Sequence, residues 1–296
     1  MKNVVNITVA IPTLDRPTEL ARCLHGLFEG TVLPAEVLIV NQGQHRAVEQ
    51  VIQGLQSQHS PPIIYCPQAP TGLSAARNLA SRQAQCPIIA FTDDDCVPAA
   101  DWIASIEQVM NSIPAVDGVT GNILPLGEDS PGQYSVSIRV NKNRITFRGR
   151  ALPWHVGSGG NFAIKRHRLL QIGGYDERLG AGSPGKAAED TDVFYRLLQA
   201  GAVIRYNPEV VIYHERQDAA RLLQSFWNYS HGVGAFTAKH VRKGDPYAAY
   251  ILGVWLFWLV WRMGKSILRR NRVYIGEGLL SLRGCSHGLV YGFKLR

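Results

Sequence analysis

Short apolar runs, many of them β-branched, alternate with amphipathic helical patterns through the first hundred residues. This alternation is typical of βαβ units on a mostly parallel sheet. The predicted strands are residues 7–11, 36–40, 62–65 and 87–91, with helices near 17–28, 47–56 and 73–83. In such a sheet, ligands bind beyond the carboxyl ends of the strands. Thr13, Asn41 and the aspartates that follow Phe91 are predicted to lie there.

The pattern changes after about residue 102, although the chain still reads as one α/β domain. The predicted elements are a helix from Trp102, a strand at 118–124, a basic hairpin-like stretch at 139–150, a glycine-rich turn at 157–160, a helix at 189–199 and short strands at 203–206 and 210–213. Gly201 is predicted to cap the end of the helix at 189–199. At the start of the chain, Asp15 is placed to cap a helix that has Pro17 in its first turn.

The composition is that of an ordinary globular protein with a formal net charge of +8. Such a charge attracts phosphate-bearing substrates, anionic lipid or nucleic acid. The sequence has no RNA-binding signature and no zinc-finger spacing, so we expect no nucleic-acid partner. Five scattered cysteines without a C-x-x-C pair indicate a reducing compartment. The N-terminal stretch lacks a small-residue cleavage site, so we expect no signal peptide.

The C-terminal part contains an uncharged apolar run at residues 248–261, AAYILGVWLFWLVW. The run is shorter than the ~20 residues of a typical membrane span, but it is rich in tryptophan. Basic residues follow it closely: Arg262, Lys265, Arg269, Arg270 and Arg272. This combination favours a helix that lies in the interface of an anionic membrane. A buried core helix, a dimer helix and a true span are the alternatives.

Three consecutive carboxylates, Asp93, Asp94 and Asp95, directly follow the predicted strand at 87–91. Three ionised groups so close together repel one another unless a cation or hydrogen-bond donors offset the repulsion. Oxygen ligands on a short loop suit Mg²⁺ or Mn²⁺, and such an ion can stabilise a diphosphate leaving group. The alternative is a solvated turn that caps the following helix.

Five motifs occur in an order and at intervals that resemble the inverting glycosyltransferases of family 2. They are VAIPTLDR at residues 9–16, GLSAARN at 72–78, the aspartate triplet at 93–95, GGN at 159–161 and EDTD at 189–192. The resemblance implies a GT-A fold, which has a Rossmann-like nucleotide-binding half and a mixed central sheet. It implies a catalytic domain over residues 1–215, with the nucleotide-sugar half at about 1–100 and the acceptor half at about 101–215. Residues 216–296 form an appended helical segment in this prediction.

On the donor side, the resemblance implies a nucleoside-diphosphate sugar and a divalent metal, Mn²⁺ or Mg²⁺. Asp93 and Asp95 are the predicted metal ligands, and His214 completes the site in several relatives. An imidazole ligand would favour Mn²⁺, because Mg²⁺ prefers oxygen. Asp94 is expected nearer the ribose or the sugar. An ordinary hydrogen-bonded histidine is the alternative for His214.

The nucleotide base is expected near the first two strand ends, at Thr13, Asp15, Arg16 and Asn41. The chain departs from the family here, because Asn41 and Gln42 stand where two aspartates are common. An amide both donates and accepts hydrogen bonds, so Asn41 can still read a base edge. A UDP-sugar is favoured, with dTDP- and GDP-sugars as alternatives.

For catalysis, the resemblance implies that Asp190 deprotonates the acceptor hydroxyl, with Glu189 beside it. The alternative is that both are acidic residues favoured by the helix dipole at a helix start. Gly160 and Asn161 are expected to let the backbone approach a ligand. Arg77 is expected either to approach the diphosphate or to pair with an acidic neighbour.

Three further features have open interpretations. The loop at 180–188 is either a mobile lid over bound donor or a segment without function. His231 lies where relatives have a phosphate-contacting segment. The basic residues of the stretch at 139–150 are expected either to meet a polyprenyl diphosphate or a membrane surface, or to lie in a solvated hairpin; they are Arg139, Lys142, Arg144, Arg148 and Arg150.

The sequence therefore predicts a glycosyltransferase that adds a sugar to a glycan or polyprenyl-linked acceptor, at the cytoplasmic face of the cell membrane. A dimer stays open. A sugar-1-phosphate nucleotidyltransferase would need a glycine-rich loop after the first strand, and residues 11–16 contain no glycine. A transferase-like binding protein that has lost catalysis is disfavoured by the intact Asp93, Asp95 and Asp190.

Overall fold

The computed structural model describes residues 2–56, 61–112, 116–268 and 272–295. Within these residues, nine strands form one mixed sheet: β1 Asn3–Thr13, β2 Val32–Asn41, β3 Ile63–Pro67, β4 Ile88–Phe91, β5 Cys96–Pro98, β6 Gly118–Pro125, β7 Ile145–Phe147, β8 Phe162–Lys165 and β9 Ile204–His214. The described helices are α1 Pro17–Glu29, α2 His45–Gln56, α3 Leu73–Gln83, α4 Trp102–Ser112, α5 Pro153–Val156, α6 Arg166–Gln171, α7 Glu189–Gln199, α8 Ala219–Val241, α9 Pro246–Leu268 and α10 Arg272–Lys294.

The first half of the sheet is parallel, in the order β3-β2-β1-β4. The predicted βαβ organisation is confirmed. Thr13 pairs with Asn41 at the carboxyl ends of β1 and β2, and the aspartate triplet follows β4 at the same edge. Since helices cover both faces of such a sheet, its strands are apolar on both sides. One core packs against α1, α2 and α4, and the other against α3, α6 and α7.

The second half is mixed, as the GT-A resemblance implies. Antiparallel β8 joins β4 to β6, and β6 runs parallel to β9. The short strand β5 begins directly after the aspartate triplet and pairs antiparallel with β9, so that Cys96 lies opposite His214. This pairing brings two regions that are far apart in sequence to the same end of the sheet.

Three local predictions are wrong. The two short strands expected at 203–213 are one strand, β9, whose register with β6 shifts after Gly121; a Cβ at Gly121 would lie 1.9 Å from the Val210 carbonyl oxygen. The basic stretch forms no hairpin, because its strand β7 pairs with β9. Asp15 does not cap α1: Arg16 is the N-cap residue, and the Asp15 carboxylate accepts the Gln44 N–H at 2.6 Å instead.

A buried charge cluster joins α7 to α8. Asp192 is 0% exposed, and its carboxylate lies 2.6–2.7 Å from the side-chain nitrogens of Arg196, Lys239 and His240. Lys239 also reaches Asp176 at 2.7 Å. Burial acts to raise the pKa of Asp192, but the three cationic or hydrogen-bonding partners outweigh it and hold that pKa far below its usual range.

A small apolar cluster seats α9 on the same helix. Tyr195 of α7 packs with Phe236 of α8 and Ile251 of α9. Its hydroxyl donates to Asp245, just before α9, and its ring stacks on Tyr247 with a centroid separation of 6.1 Å. The position of α9 is therefore tied to the helix that begins with Glu189 and Asp190.

Glycines let α8 and α10 approach closely. A Cβ at Gly288 would lie 1.9 Å from the His231 carbonyl oxygen, and one at Gly292 would lie 2.4 Å from that of Ala235. Small residues at four-residue spacing allow two helix backbones to come together in this way. The His231 ring lies beside Tyr291 of α10, and its Nδ1 lies 3.2 Å from the Gly185 carbonyl oxygen.

The helix α9 extends the predicted apolar run to 23 residues. By length and composition it can cross a membrane, and 17% of its most apolar window is buried. The uncharged run alone is shorter than a span, but the helix that contains it is long enough, so a true span stays an alternative to a helix in the membrane interface. The low burial argues against a helix enclosed in the core. Of the predicted basic residues, Arg269 and Arg270 lie outside the described residues, as does the side chain of Arg272.

We predict that Asp192→Asn destabilises the fold by about 3–5 kcal/mol at neutral pH, because it leaves buried cations without their counter-charge. The folded-state pKa of Asp192 is depressed, so its contribution is present above the unfolded value of about 3.9 and is lost as the pH falls through the folded value. The difference in unfolding free energy between wild type and variant should narrow below about pH 4. Chemical denaturation at several pH values measures it.

The control is Glu209→Gln, which removes the carboxylate that pairs with Arg144, because both side chains of this pair are at least half exposed. It should change stability little, because an exposed ion pair contributes about 0–1 kcal/mol. If the two variants lose the same stability at neutral pH, Asp192 is not the anchor of α8.

Candidate active site

A cavity of about 1180 Å³ opens at the carboxyl ends of the parallel strands. Both halves of the sheet contribute to its walls, and so do α8 and α9. Ten of the predicted site residues line it: Thr13, Arg16, Arg77, Asp93, Asp94, Asp95, Gly160, Glu189, Asp190 and His214. A cavity of this size with converging charged groups is the expected form of a ligand site.

Arg77 joins the two walls of this cavity. Its side chain is 1% exposed, and it donates to Asp93 at 2.7 Å and to Glu189 at 3.0 Å. The Tyr175 ring covers the guanidinium, 5.5 Å from its centroid. Burial opposes the charge, but the two carboxylates outweigh it and raise the pKa of Arg77 above its usual value. Of the two roles expected for Arg77, the structure shows the pairing with acidic neighbours.

Asp94 binds the loop that follows β1. Its carboxylate accepts from the Thr13 hydroxyl at 2.8 Å and from Arg16 at 3.2 Å, and Arg16 also reaches Asp95 at 2.8 Å. Burial and the charge of Asp95 raise the pKa of Asp94 to about 7, against the lowering effect of Arg16 and Thr13. These contacts offset part of the repulsion within the triplet.

Asp95 and His214 form a candidate metal site. Together with Cys96 they place their ligand atoms within 4.8 Å of one another, and Asp95 Oδ1 lies 3.7 Å from His214 Nε2. His214 Nδ1 lies 2.7 Å from the Glu215 carbonyl oxygen. A carbonyl only accepts, so Nδ1 carries the proton and Nε2 keeps its lone pair for a metal. The carboxylate and imidazole donors fit Mn²⁺.

Two neighbours fit a metal less well. Burial and the charges of Asp93 and Asp95 raise the pKa of the Cys96 thiol far above its usual range, and a soft sulfur donor is not the ligand that Mn²⁺ or Mg²⁺ prefers. Asp93 is not part of the group that includes His214, and its Oδ1 pairs with Arg77. Its other oxygen faces Gly160, where a Cβ would lie 2.7 Å away.

Glu189 and Asp190 sit side by side but in different environments. Glu189 is buried against Arg77, and burial together with the Asp190 charge raises its pKa to about 7. Asp190 is half-buried and lines the cavity. Its two oxygens accept from the Gly159 N–H at 2.9 Å and the Thr191 N–H at 2.6 Å. Asp190 is therefore the more accessible of the two carboxylates.

The glycine-rich turn is shaped by this packing. A Cβ at Gly159 would lie 2.6 Å from Arg77 Nη1 and 3.1 Å from Asp190 Cβ, so a larger residue would push these groups apart. Asn161 does not line the cavity as predicted. It is buried, accepts from Trp102 Nε1, and donates to the carbonyls of Asn122 and Val210, each at 2.9 Å.

The predicted base-reading residues also differ from expectation. Asn41 is 0% exposed, and its amide is occupied by Gln44, Tyr65 and Gly43. It closes the loop after β2 and lines no part of the cavity, and neither does Asp15. The neighbouring Gln42 lines the cavity instead, held by two hydrogen bonds to the Gly72 backbone.

The loop at 180–188 lines the cavity through Ala181, Gly182 and Lys186, among others. The Ala181 carbonyl accepts from the Leu73 N–H at 2.9 Å, at the start of α3. The role of the loop at 180–188 as a lid stays a prediction. His231, predicted to contact phosphate, packs behind this loop and not at the cavity wall.

On the acceptor side, the cavity is lined by Arg139, for which the sequence left open either contact with an acceptor or a membrane or a place in a solvated hairpin. The sequence motifs missed further lining residues: Trp154, His155, Tyr229, Trp255 and Trp258. Arg139 lies in the basic stretch noted in the sequence, and the two last tryptophans lie in the apolar run of α9. The available signals were the charge and the tryptophan content, but neither indicates which residue meets the cavity.

Two family models match the chain. The model described as glycosyl transferase family 2 matches residues 8–172, and that described as glycosyltransferase like family 2 matches residues 128–245. The chain is 22% identical over 305 residues to the glucosyl-dolichyl phosphate glucuronosyltransferase of Haloferax volcanii, an alignment that covers 97% of this chain and 96% of that protein. It is 24% identical over 272 residues to the pre-mycofactocin glycosyltransferase of Mycobacterium tuberculosis, covering 89% of this chain and 54% of that protein. The chain thus spans about half the length of this second relative.

Among solved structures, the chain is similar to the mannosyltransferase PcManGT from Pyrobaculum calidifontis in complex with GDP-Man and Mn²⁺. The TM-score is 0.65 at 16% identity, over 98% of this chain and 87% of that one. At this identity the likeness concerns the fold, and it agrees with the mixed sheet described above. Since the first family model spans more than half of the chain, the chain belongs to glycosyltransferase family 2 and is a glycosyltransferase with a GT-A fold.

Proposed function

We propose that this enzyme transfers a sugar from a nucleoside-diphosphate sugar to a hydroxyl of a glycan or lipid-linked acceptor, with inversion at the anomeric carbon. The observation that carries the proposal is that one cavity is lined by the aspartate triplet, His214 and Asp190. A donor-binding wall and a separate carboxylate thus face the same space, which an in-line displacement requires.

The donor wall comprises the triplet and the loops after β1 and β2. Asp95 and His214 would hold a divalent ion, with Asp93 as a further oxygen ligand once donor is bound. That ion, when bound, supplies positive charge against the departing diphosphate. Mn²⁺ is favoured over Mg²⁺ by the imidazole, and structural relatives were solved with Mn²⁺ and with UDP, UDP-GlcNAc or GDP-Man. A UDP-sugar is the favoured donor, with dTDP- and GDP-sugars as alternatives.

Asp190 is the proposed general base. The N–H groups of Gly159 and Thr191 orient its carboxylate, which would take the proton from the acceptor hydroxyl as that oxygen attacks the sugar. Glu189 is buried and paired with Arg77, so it positions rather than reacts. Arg77 holds Glu189 and Asp93 at a fixed separation. It thereby also fixes the separation of the donor wall, which contains Asp93, from the acceptor wall, which contains Glu189.

The acceptor is proposed to come from a membrane. The Haloferax volcanii relative is named for a dolichyl phosphate substrate, and α9 presents an exposed apolar strip, defined here as Phe257, Val260, Trp261 and Leu268. Lys265 lies between the last two residues of this strip, with its ammonium 3.8 Å from the Trp261 ring centroid. Aromatic and basic groups on one helix favour an anionic membrane surface, which for this enzyme is the inner face of the cell membrane.

We predict that Asp190→Asn lowers transfer by about 10²- to 10⁴-fold, because an amide cannot take the hydroxyl proton. Radiolabel transfer from UDP-, GDP- and dTDP-sugars to a membrane fraction measures the rate. NMR of the wild-type product should show the anomeric configuration opposite to that of the donor.

Donor binding should survive the same substitution, because Asp190 lies on the acceptor wall. Thermal stabilisation by UDP with Mn²⁺ should match that of wild type. Glu209→Gln, on the surface, controls for a general effect of losing a carboxylate. Full transfer by Asp190→Asn in a folded protein would remove Asp190 as the base, and retention of configuration would remove the inverting reaction.

For the membrane, we predict that Phe257→Ser with Leu268→Ser reduces flotation with phosphatidylglycerol liposomes at least tenfold, because each change removes an apolar group that would be buried. The control pair is Val4→Ser with Ile64→Ser, which are also exposed apolar residues but lie on β1 and β3 in the parallel half of the sheet. Unchanged flotation together with a loss of dimer on size-exclusion chromatography would assign the strip to a second copy of the chain.

A further inference from the structure

The acceptor wall of the cavity contains aromatic and cationic groups that the proposed catalysis does not use. Trp154 of α5 lies in this wall, with Trp255 and Trp258 of α9. Arg139 lines the same cavity, and the charge of Asp190 acts on its guanidinium. Their arrangement indicates what kind of molecule carries the reacting hydroxyl.

The tryptophans of α9 form a row that leads out of the cavity. Trp255 is half-buried, Trp258 is 55% exposed, and Trp261 is 45% exposed. The rings of Trp258 and Trp261 pack edge to face with centroids 5.2 Å apart, and Lys265 lies over Trp261. An apolar path therefore runs from the catalytic cavity to the exposed end of α9, where a cation lies.

Arg139 is influenced by the charge of Asp190, but among the described residues no carboxylate is in direct contact with it. Its guanidinium donates to the His155 carbonyl at 2.9 Å, and it forms no ion pair with a carboxylate among the described residues. Other basic residues of the same stretch are engaged: Arg144 pairs with Glu209 at 2.6 Å, and Arg150 lies over the Tyr247 ring. A half-buried guanidinium that lines a cavity and has no carboxylate partner can donate two parallel hydrogen bonds to one phosphate group.

The position of α9 in this wall is fixed by its contacts with α7. Asp245 accepts from Tyr195 and Gln199 of α7, and Ile251 of α9 is buried in the cluster with Tyr195. Because α7 also carries Asp190, the tryptophan row keeps a fixed position relative to the proposed base.

We propose that Arg139 and the row Trp255, Trp258 and Trp261 form the acceptor subsite, which takes a sugar carried on a lipid phosphate. The sugar hydroxyl lies at Asp190, the phosphate at Arg139 and the hydrocarbon chain along the row. The proposal rests on the proposed function in one respect, that the hydroxyl is activated at Asp190. A free glycan also stacks on tryptophan, but it would not need an apolar row that continues past the cavity.

Binding of farnesyl phosphate to the purified full-length chain tests the subsite. This probe has a phosphate and a short isoprenoid chain, is used below its micelle concentration, and needs neither donor nor Mn²⁺. Farnesol, inorganic phosphate and the lipid-free disaccharide cellobiose are the comparison probes. We expect farnesyl phosphate to bind at least tenfold more tightly than any of the three, measured by calorimetry.

Two variants and their matched controls locate the binding. Arg139→Gln should weaken farnesyl phosphate about 10- to 100-fold, the loss expected for a hydrogen bond to a charged group, and leave farnesol unchanged. Arg148→Gln, in the same basic stretch but not at the cavity, should bind as wild type. Trp258→Ala should weaken both isoprenoid probes about tenfold. Tyr250→Ala, an aromatic of α9 with 57% exposure that does not line the cavity, should not.

The outcomes separate the subsite from the proposed function. Equal losses in Arg148→Gln or Tyr250→Ala would overturn the subsite, because binding would then depend on charge or apolar surface in general. Cellobiose binding as tightly as farnesyl phosphate would assign the wall to a glycan. Arg139→Lys and Trp258→Phe, which keep charge and ring, guard against misfolding. Thermal stabilisation by UDP with Mn²⁺ reports the donor site independently, so the failure of one claim leaves the other measurable.

Discussion

The buried guanidinium of Arg77 is the interaction on which the site depends. It contacts Asp93 from the nucleotide half and Glu189 from the acceptor half, and it is almost wholly removed from solvent. A buried charge is costly unless it is paired and hydrogen-bonded, so the two carboxylates and the arginine require one another. Gly159 leaves just enough space for this group beside Asp190. The distance between the donor wall and the proposed base is thus set by one ion pair network.

The same helix that carries Glu189 and Asp190 also holds the C-terminal segment. Asp192 ties α8 to α7 through buried cations, and Tyr195 seats α9 through Asp245 and Tyr247. The exposed aromatic face of α9 is therefore connected to the catalytic cavity through rigid contacts. A membrane bound at that face would meet the acceptor side of the cavity, which gives the proposed lipid-linked acceptor a direct route to Asp190.

The sequence predicted the features that depend on local pattern. Strands of the parallel half, the triplet after β4 and the acidic start of α7 all follow from periodicity and from strand or helix ends. Sequence-based prediction failed where the same side chain can either bind a ligand or form hydrogen bonds within the fold. The side-chain amides of Asn41 and Asn161 could hydrogen-bond a nucleotide, but in this structure they form hydrogen bonds inside the protein, to Tyr65 and to the Asn122 carbonyl. Trp258 was missed as a site residue because its place at the cavity depends on how α9 packs on the catalytic domain, a long-range contact with no local signal in the sequence. For Arg139 the sequence left two environments open, because its contact with His155 is equally non-local.

The central claim is that the donor's metal and the base lie on opposite walls of one cavity, with Asp95 and His214 on the first and Asp190 on the second. Anomalous diffraction at the manganese edge, from crystals grown with Mn²⁺ and UDP, tests it most directly. The account predicts one strong peak bonded to Asp95 and to His214 Nε2, next to the UDP phosphates, with Asp190 making no bond to the ion. A peak bonded to Asp190, or UDP bound with no ion near His214, would contradict it.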